Sequence, residues 1–262
     1  MMETPLVGPP PTEIPLSRSP LIRVIAQIRF PLIMKIENPE FIAEFQEAIR
    51  HVYPILRSEK QIVAVAGPVA NIRPQQIWRF EQVNGPWKAT LSPDFLAIET
   101  SSYTSREDFL GQLSLLVAAL QKHIGPAIID RLGIRYVDRL KAKDVTKVPQ
   151  FFRQEVAGIL GTEMTSGVHL SISENVFQLL EEGAQMRTRW GLVPPNATID
   201  PSAIEPLNEP SWILDVDAFD ATSRGLDLEG VLAQSRKLCE RIYSVFRWAV
   251  TDDGIRHFGG EI

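Results

Sequence analysis

Arginines and aspartates set at alternate positions are the residues of this chain whose types and spacing could do chemistry. Arg131, Arg135 and Arg139 recur every four residues around LGIRYVDRL (132–140), Arg187 and Arg189 are two apart, and so are Asp215 and Asp217. Successive side chains of a strand alternate between its faces, so each set shares one face and leaves an apolar partner face. Arg23 and Arg29 of LIRVIAQIRF (21–30) could join the same surface. A guanidinium presents a planar fork that matches carboxylate or phosphate. The candidate binding residues are therefore Arg29, Arg135, Arg139, Arg187, Arg189, Asp215 and Asp217, and the ligand would be an acidic partner or a small anion. The structural alternative is a solvated face laced with cross-strand ion pairs, each worth on the order of a few tenths of a kcal/mol. Asp215 and Asp217 could hold magnesium, but two aspartates on a strand more often offset neighbouring arginines.

Other reactive residue types carry less. His51, His123, His169 and His257 show no spacing that would build a zinc site on one element, and His51 and His123 fall where a cation suits a helix C-terminus. Cys239 has no neighbouring histidine or cysteine to lower its pKa and reads as a buried small hydrophobe. The chain has no nucleophile elbow, phosphate-cradling glycine loop or dinucleotide fingerprint. No catalytic residue, metal or cofactor is assigned from the sequence. An enzyme with a dispersed site would need His169, an acid and an arginine to converge. Trp78, Trp87, Trp190 and Trp212 fall in expected strands and read as core.

The elements that must position these residues form a regular order. LIRVIAQIRF alternates as a strand, and Asn38-Pro39 opens a helix over about 39–53 that Pro54 stops. Strands are expected at Gln61–Ala66, Gln75–Gln82, Trp87–Leu91 and Phe95–Ser101, joined as an antiparallel meander. Thr104 and Glu107 read as a capping box for an amphipathic helix ending near Gly125. The order then repeats: strand 132–140, helix Pro149–Ile159, strands Val168–Ser173, Val176–Glu181, Gln185–Val193 and Trp212–Phe219, and a long helix from about Asp227 to Val250. Arg29, Pro39 and Phe41 recur 110 positions on as Arg139, Pro149 and Phe151. Past the proline-rich 194–210 stretch the offset is 118, with Thr104-Ser105-Arg106 falling on Thr222-Ser223-Arg224. The expected fold class is α+β, a tandem duplication of a strand, helix, four-strand, helix unit with curved antiparallel sheets backed by helices. The halves would be 21–128 and 129–250, flanked by a tail at 251–262 whose Gly259-Gly260 reads as a flexible end.

Residues 1–20 contain six prolines and read as an extended arm able to dock on a surface. Hydrophobic residues make up 44% and charged residues 23%, which excludes wholesale disorder. A net charge of −5 disfavours a nucleic-acid partner. One cysteine, no signal-like N-terminus and no membrane-length apolar run suggest a cytoplasmic protein with no membrane partner. The expected partner is protein, including a second copy of the chain, with a small anionic ligand as the alternative.

The duplicated unit resembles the fold of the TATA-binding-protein group over roughly residues 21–250. PLIRVIAQIRFP and RLGIRYVDRL are similar to the paired signatures of a sporadically distributed bacterial family of uncharacterised function. That resemblance implies the fold and an accessory or defence cassette, and it implies no catalytic residue. The expected function is a non-enzymatic interaction or regulatory protein.

Overall fold

The computed structural model describes residues 4–65, 71–180 and 183–262, with backbone alone at 61–65 and 71–73. The chain forms two compact units, one of Val24–Ile134 with Phe219–Lys237, the other of Met1–Arg23, Arg135–Ala218 and Leu238–Ile262. We call them the meander unit and the clamp unit. The fold is mixed α+β, with antiparallel strands backed by helices.

In the meander unit β1 (Leu21–Arg29), β2 (Ile55–Val65), β3 (Asn71–Glu81), β4 (Trp87–Ser92) and β5 (Phe95–Thr100) lie in the order β2-β3-β4-β5-β1, each pair antiparallel. The expected strand at Gln61–Ala66 belongs to the longer β2, and Ala66 lies outside the described residues. Register aligns Phe80, Ala89, Ile98 and Ala26 across four strands, and Trp78, Leu91, Leu96 and Ile28 beside them. All eight are buried. Two helices cover this face: α1 (Pro39–Ile49), capped by the Asn38 side chain, and α2 (Arg106–Ala119). Phe45 of α1 meets Phe80 at 5.5 Å between ring centroids, and Phe109 of α2 meets Trp87 at 5.7 Å. The capping box is displaced by one residue. Ser105 accepts from Asp108 N–H, Thr104 bonds the Asp108 carboxylate, and Glu107 turns outward to Arg236. After α2 a wide π turn (Leu120–Ile124) ends on Gly125, whose left-handed φ of 63° closes the helix. A two-stranded pair, β6 (Ile128–Ile129) with β11 (Arg224–Gly225), completes the unit.

The clamp unit is built on β7 (Arg131–Lys141), β8 (Ser171–Gln178), β9 (Ala184–Val193) and β10 (Ser211–Asp220), in the hydrogen-bonded order β7-β10-β9-β8. The two short strands expected at Val168–Ser173 and Val176–Glu181 merge in β8, because Glu174-Asn175 carries no turn-forming glycine or proline; Glu181 lies outside the described residues. The helix expected over 149–159 is broken into short turns, α3 (Ala142–Val145), α4 (Val148–Phe151) and α5 (Gln154–Ala157), followed by 3-10 turns. Phe152 causes the break: it is extended and bridges Val250, which places its ring 4.3 Å from Trp212. Gly158 then takes a φ of 53°. The expected four strands and helix of a second repeat are thus three long strands and a string of turns.

The last helices are α6 (Leu228–Ala249), whose residues divide between the units, and α7 (Asp252–His257), capped by Thr251. The chain start is docked on this end. Ile14 N–H donates to Tyr243 Oη at 2.8 Å, Arg241 reaches Gly8 O at 2.6 Å and Arg18 N–H donates to Phe258 O at 2.9 Å. Gly259, at a φ of 81°, sits where any Cβ would strike the Ser17 hydroxyl, and Gly260 is buried. The expected flexible end is therefore a packed seam. Among the described residues no helix is long and apolar enough to cross a membrane.

Candidate functional site

Strand alternation aims Arg135 of β7, Arg189 of β9 and Asp215 of β10 to the same face, and a cross-strand carboxylate serves both arginines. Asp215 accepts from Arg135 Nε and Nη2 at 2.7 and 2.9 Å, and from Arg189 Nε and Nη2 at 3.0 and 2.6 Å. Its side chain is 2% exposed, with Arg135 at 13% and Arg189 at 12%. The arrangement is buried, where a solvated ion-pair face was the expected alternative.

The proline-rich 194–210 segment provides the cover, and we call it the strap. Asp200 accepts from Arg135 Nη1 at 2.8 Å and lies 3.5 Å from Arg189 Nη2. Arg189 Nη1 donates to Ile199 O and Arg139 Nη2 to Glu205 O, at 3.3 and 2.6 Å. Arg23 approaches the Glu205 carboxylate at 3.9 Å. Thr198 bonds Ile204 O, Asp200 caps its own turn through Ser202, and Ala203 and Ile204 are buried. Prolines suit this role because a segment held by side chains can do without their missing N–H groups.

Charge in the clamp is balanced, two guanidiniums against Asp215 and Asp200. Burial would lower the Arg135 pKa, but bonds to Asp215 and then Asp200 raise it above the ordinary value. Burial likewise opposes ionisation of Asp200, yet Ser202 and Arg135 outweigh it and bring its carboxyl down to about 2. Arg139 moves the other way, lowered mainly by burial, with Glu205 opposing and Arg23 adding to the fall.

Of the other sequence candidates, Arg187 lies 3.7 Å from Asp217 on the same face, and Arg29 in the meander unit is held by Asp94 at 2.7 Å. Arg131 stacks over the Phe219 ring at 4.3 Å. His169 lines a cleft of about 260 Å³ with Thr146, Leu192 and three prolines, and neither a carboxylate nor an arginine lines it. Cys239 is buried. Among the described residues no group of three or more His, Cys, Asp or Glu is placed to hold a metal ion.

One member of the site, Asp200, and one acid on the reverse of the same strand, Asp138, escaped sequence reasoning. Asp200 sits in a segment without periodicity, so nothing marked it. Asp138 was visible as the one acid among Leu132, Ile134, Tyr136 and Leu140, on the face opposite Arg135. The Arg135–Asp215 and Arg131–Phe219 contacts show that β7 and β10 run antiparallel. Asp138 is 5% exposed, and burial, aided by the Asp215 charge, pushes its carboxyl up to about 8. On the face opposite the arginines, Thr188 Oγ1 and Trp212 Nε1 are buried without a hydrogen-bond partner. No protein-family model matches the chain, and no curated protein matches its sequence.

Proposed function

We propose that the protein is a non-enzymatic interaction or regulatory module that engages a protein partner through the outer edge of β8. One observation carries this: β8 ends the strand order, and Leu170, Ile172, Val176 and Leu180 stand exposed along it. An apolar strand with unpaired backbone groups is a template for another strand, and globular proteins ordinarily blunt such edges with charge or proline. The clamp supports the reading by making the neighbouring face rigid and internally neutral. The negative net charge argues against nucleic acid. Composition favours the cytoplasm, and the two signature segments favour membership of the sporadic bacterial family and its accessory setting. The test is affinity capture from the native cell with the intact protein and Val176→Lys. Loss of captured chains in the variant supports the module, and an unchanged set sinks it.

A second reading rests on Asp200. Its carboxylate occupies the Arg135 fork from a segment that could be displaced, so a small anion could take its place. Asp200→Asn should then bind inorganic phosphate or citrate more tightly than the parent in a thermal-shift titration. Equal, negligible shifts in both would remove this reading.

A further inference from the structure

The β8 edge is suited to one occupant in particular, a second copy of itself. Leu179 N–H donates to Ala184 O, so in the antiparallel β8–β9 ladder the odd-numbered residues of β8 turn their backbone groups toward β9. The even-numbered residues Ile172, Glu174, Val176 and Gln178 therefore direct theirs to the free edge. Their side chains share the face that holds Arg187 and Arg189, which lie across β9 from Val176 and Glu174. Val176 is 60% exposed and Leu180, just past the strand, 66%.

A two-fold axis pairs the edge with itself antiparallel, residue against residue, and only even positions can meet even positions. With the axis at Glu174 two carboxylates would face each other, which is unfavourable. With the axis at Val176 the pairs become Val176 with Val176, Ile172 with Leu180, and Glu174 with Gln178, whose amide can donate to it. The even-numbered side chains from Ile172 to Leu180 then each find a matching one. The outer edge strand of the meander unit shows a different pattern: the described exposed part of β2 carries Arg57, Glu59 and Lys60. β8 has Glu174 as its one charge and no proline.

Resting on the interaction reading above, we infer that the protein is a two-fold dimer joined by antiparallel β8–β8 pairing with Val176 on the axis. Sedimentation equilibrium across a dilution series should give a mass of twice 29.4 kDa for the parent and once that value for Val176→Lys. Register is tested by cysteine. Val176→Cys should form an intermolecular disulfide quickly under mild oxidation, since opposed residues of an antiparallel pair lie within disulfide reach. Ile172→Cys should not, because its copy is displaced along the partner strand, and the native Cys239 is buried. A parent that stays monomeric at every concentration, or an Ile172→Cys variant that links as fast as Val176→Cys, overturns the inference. A monomeric parent that still loses a different captured protein on Val176→Lys overturns the second-copy assignment and leaves the interaction module standing.

Discussion

Asp138 puts a carboxyl on a face otherwise made of leucine, isoleucine and tyrosine, and its protonation is tied to folding. Its folded value of about 8 exceeds the ordinary 3.8, so between them the folded chain holds a proton that the unfolded chain releases. The associated stability is fully present below the ordinary value and is lost as pH rises through about 8, at a rate of about 1.4 kcal/mol per pH unit. Asp138→Asn cannot ionise. Its unfolding free energy in urea should match the parent's within about 1 kcal/mol near pH 4 and exceed it by about 2 kcal/mol or more near pH 8.5. A gap that stays constant with pH would show that Asp138 does not titrate in this way. Neutralising Asp215 instead removes a charge that the clamp needs. Removing its charge strands two guanidiniums, so Asp215→Asn should cost about 3–5 kcal/mol in chemical denaturation, against roughly 1 kcal/mol for the more exposed Asp200→Asn. The sequence showed the arginines and Asp215 through strand alternation, a local rule. It could not show that a distant aspartate completes the site, since that depends on where an irregular segment comes to rest.

At the scale of elements, the strap illustrates how a segment without secondary structure of its own becomes fixed. Its anchors are side chains of β7 and β9 bonding Asp200, Ile199 and Glu205, with a small backbone frame from Asn196 to Leu207. Asp200→Asn should therefore speed amide hydrogen exchange within 196–204 while β9 and β10 keep their protection, because the latter depend on ladder bonds and burial. Uniform acceleration in all three would mean that the strap and the strands open together. β1, the meander and α2 were readable because their periodicity agrees with tertiary burial. The 149–159 segment misled because Phe152, Val156 and Ile159 recur at helical spacing, while Phe152 is claimed by Val250 and Trp212. Contact with a residue almost a hundred positions away overrode local preference.

On the scale of the whole molecule, the amino-terminal arm is part of the clamp unit. Deleting residues 1–18 removes the partners of Tyr243, Arg241 and Phe258 and uncovers Gly259 and Gly260. The truncated protein should unfold several degrees lower in a thermal melt, equivalent to about 2 kcal/mol or more. An unchanged melt would show that the arm rests on the surface without stabilising it. The α+β class was legible from alternating and helical patterns. The docking of the arm was not, since proline fixes φ but leaves its destination open.

The seam of Ser17 and Arg18 against Phe258 and Gly259 also sets an order of events during synthesis. The clamp unit draws on the first residues, the middle and the last residues of the chain, whereas the meander unit needs nothing beyond Lys237. The arm is made well before Arg241, Tyr243 and Phe258, and its bonds to them form only once those residues have been added. A growing chain can thus complete its meander while the proline-rich arm remains unpaired, and prolines, which lack N–H groups and resist strand addition, make that arm safe to leave exposed in the interval.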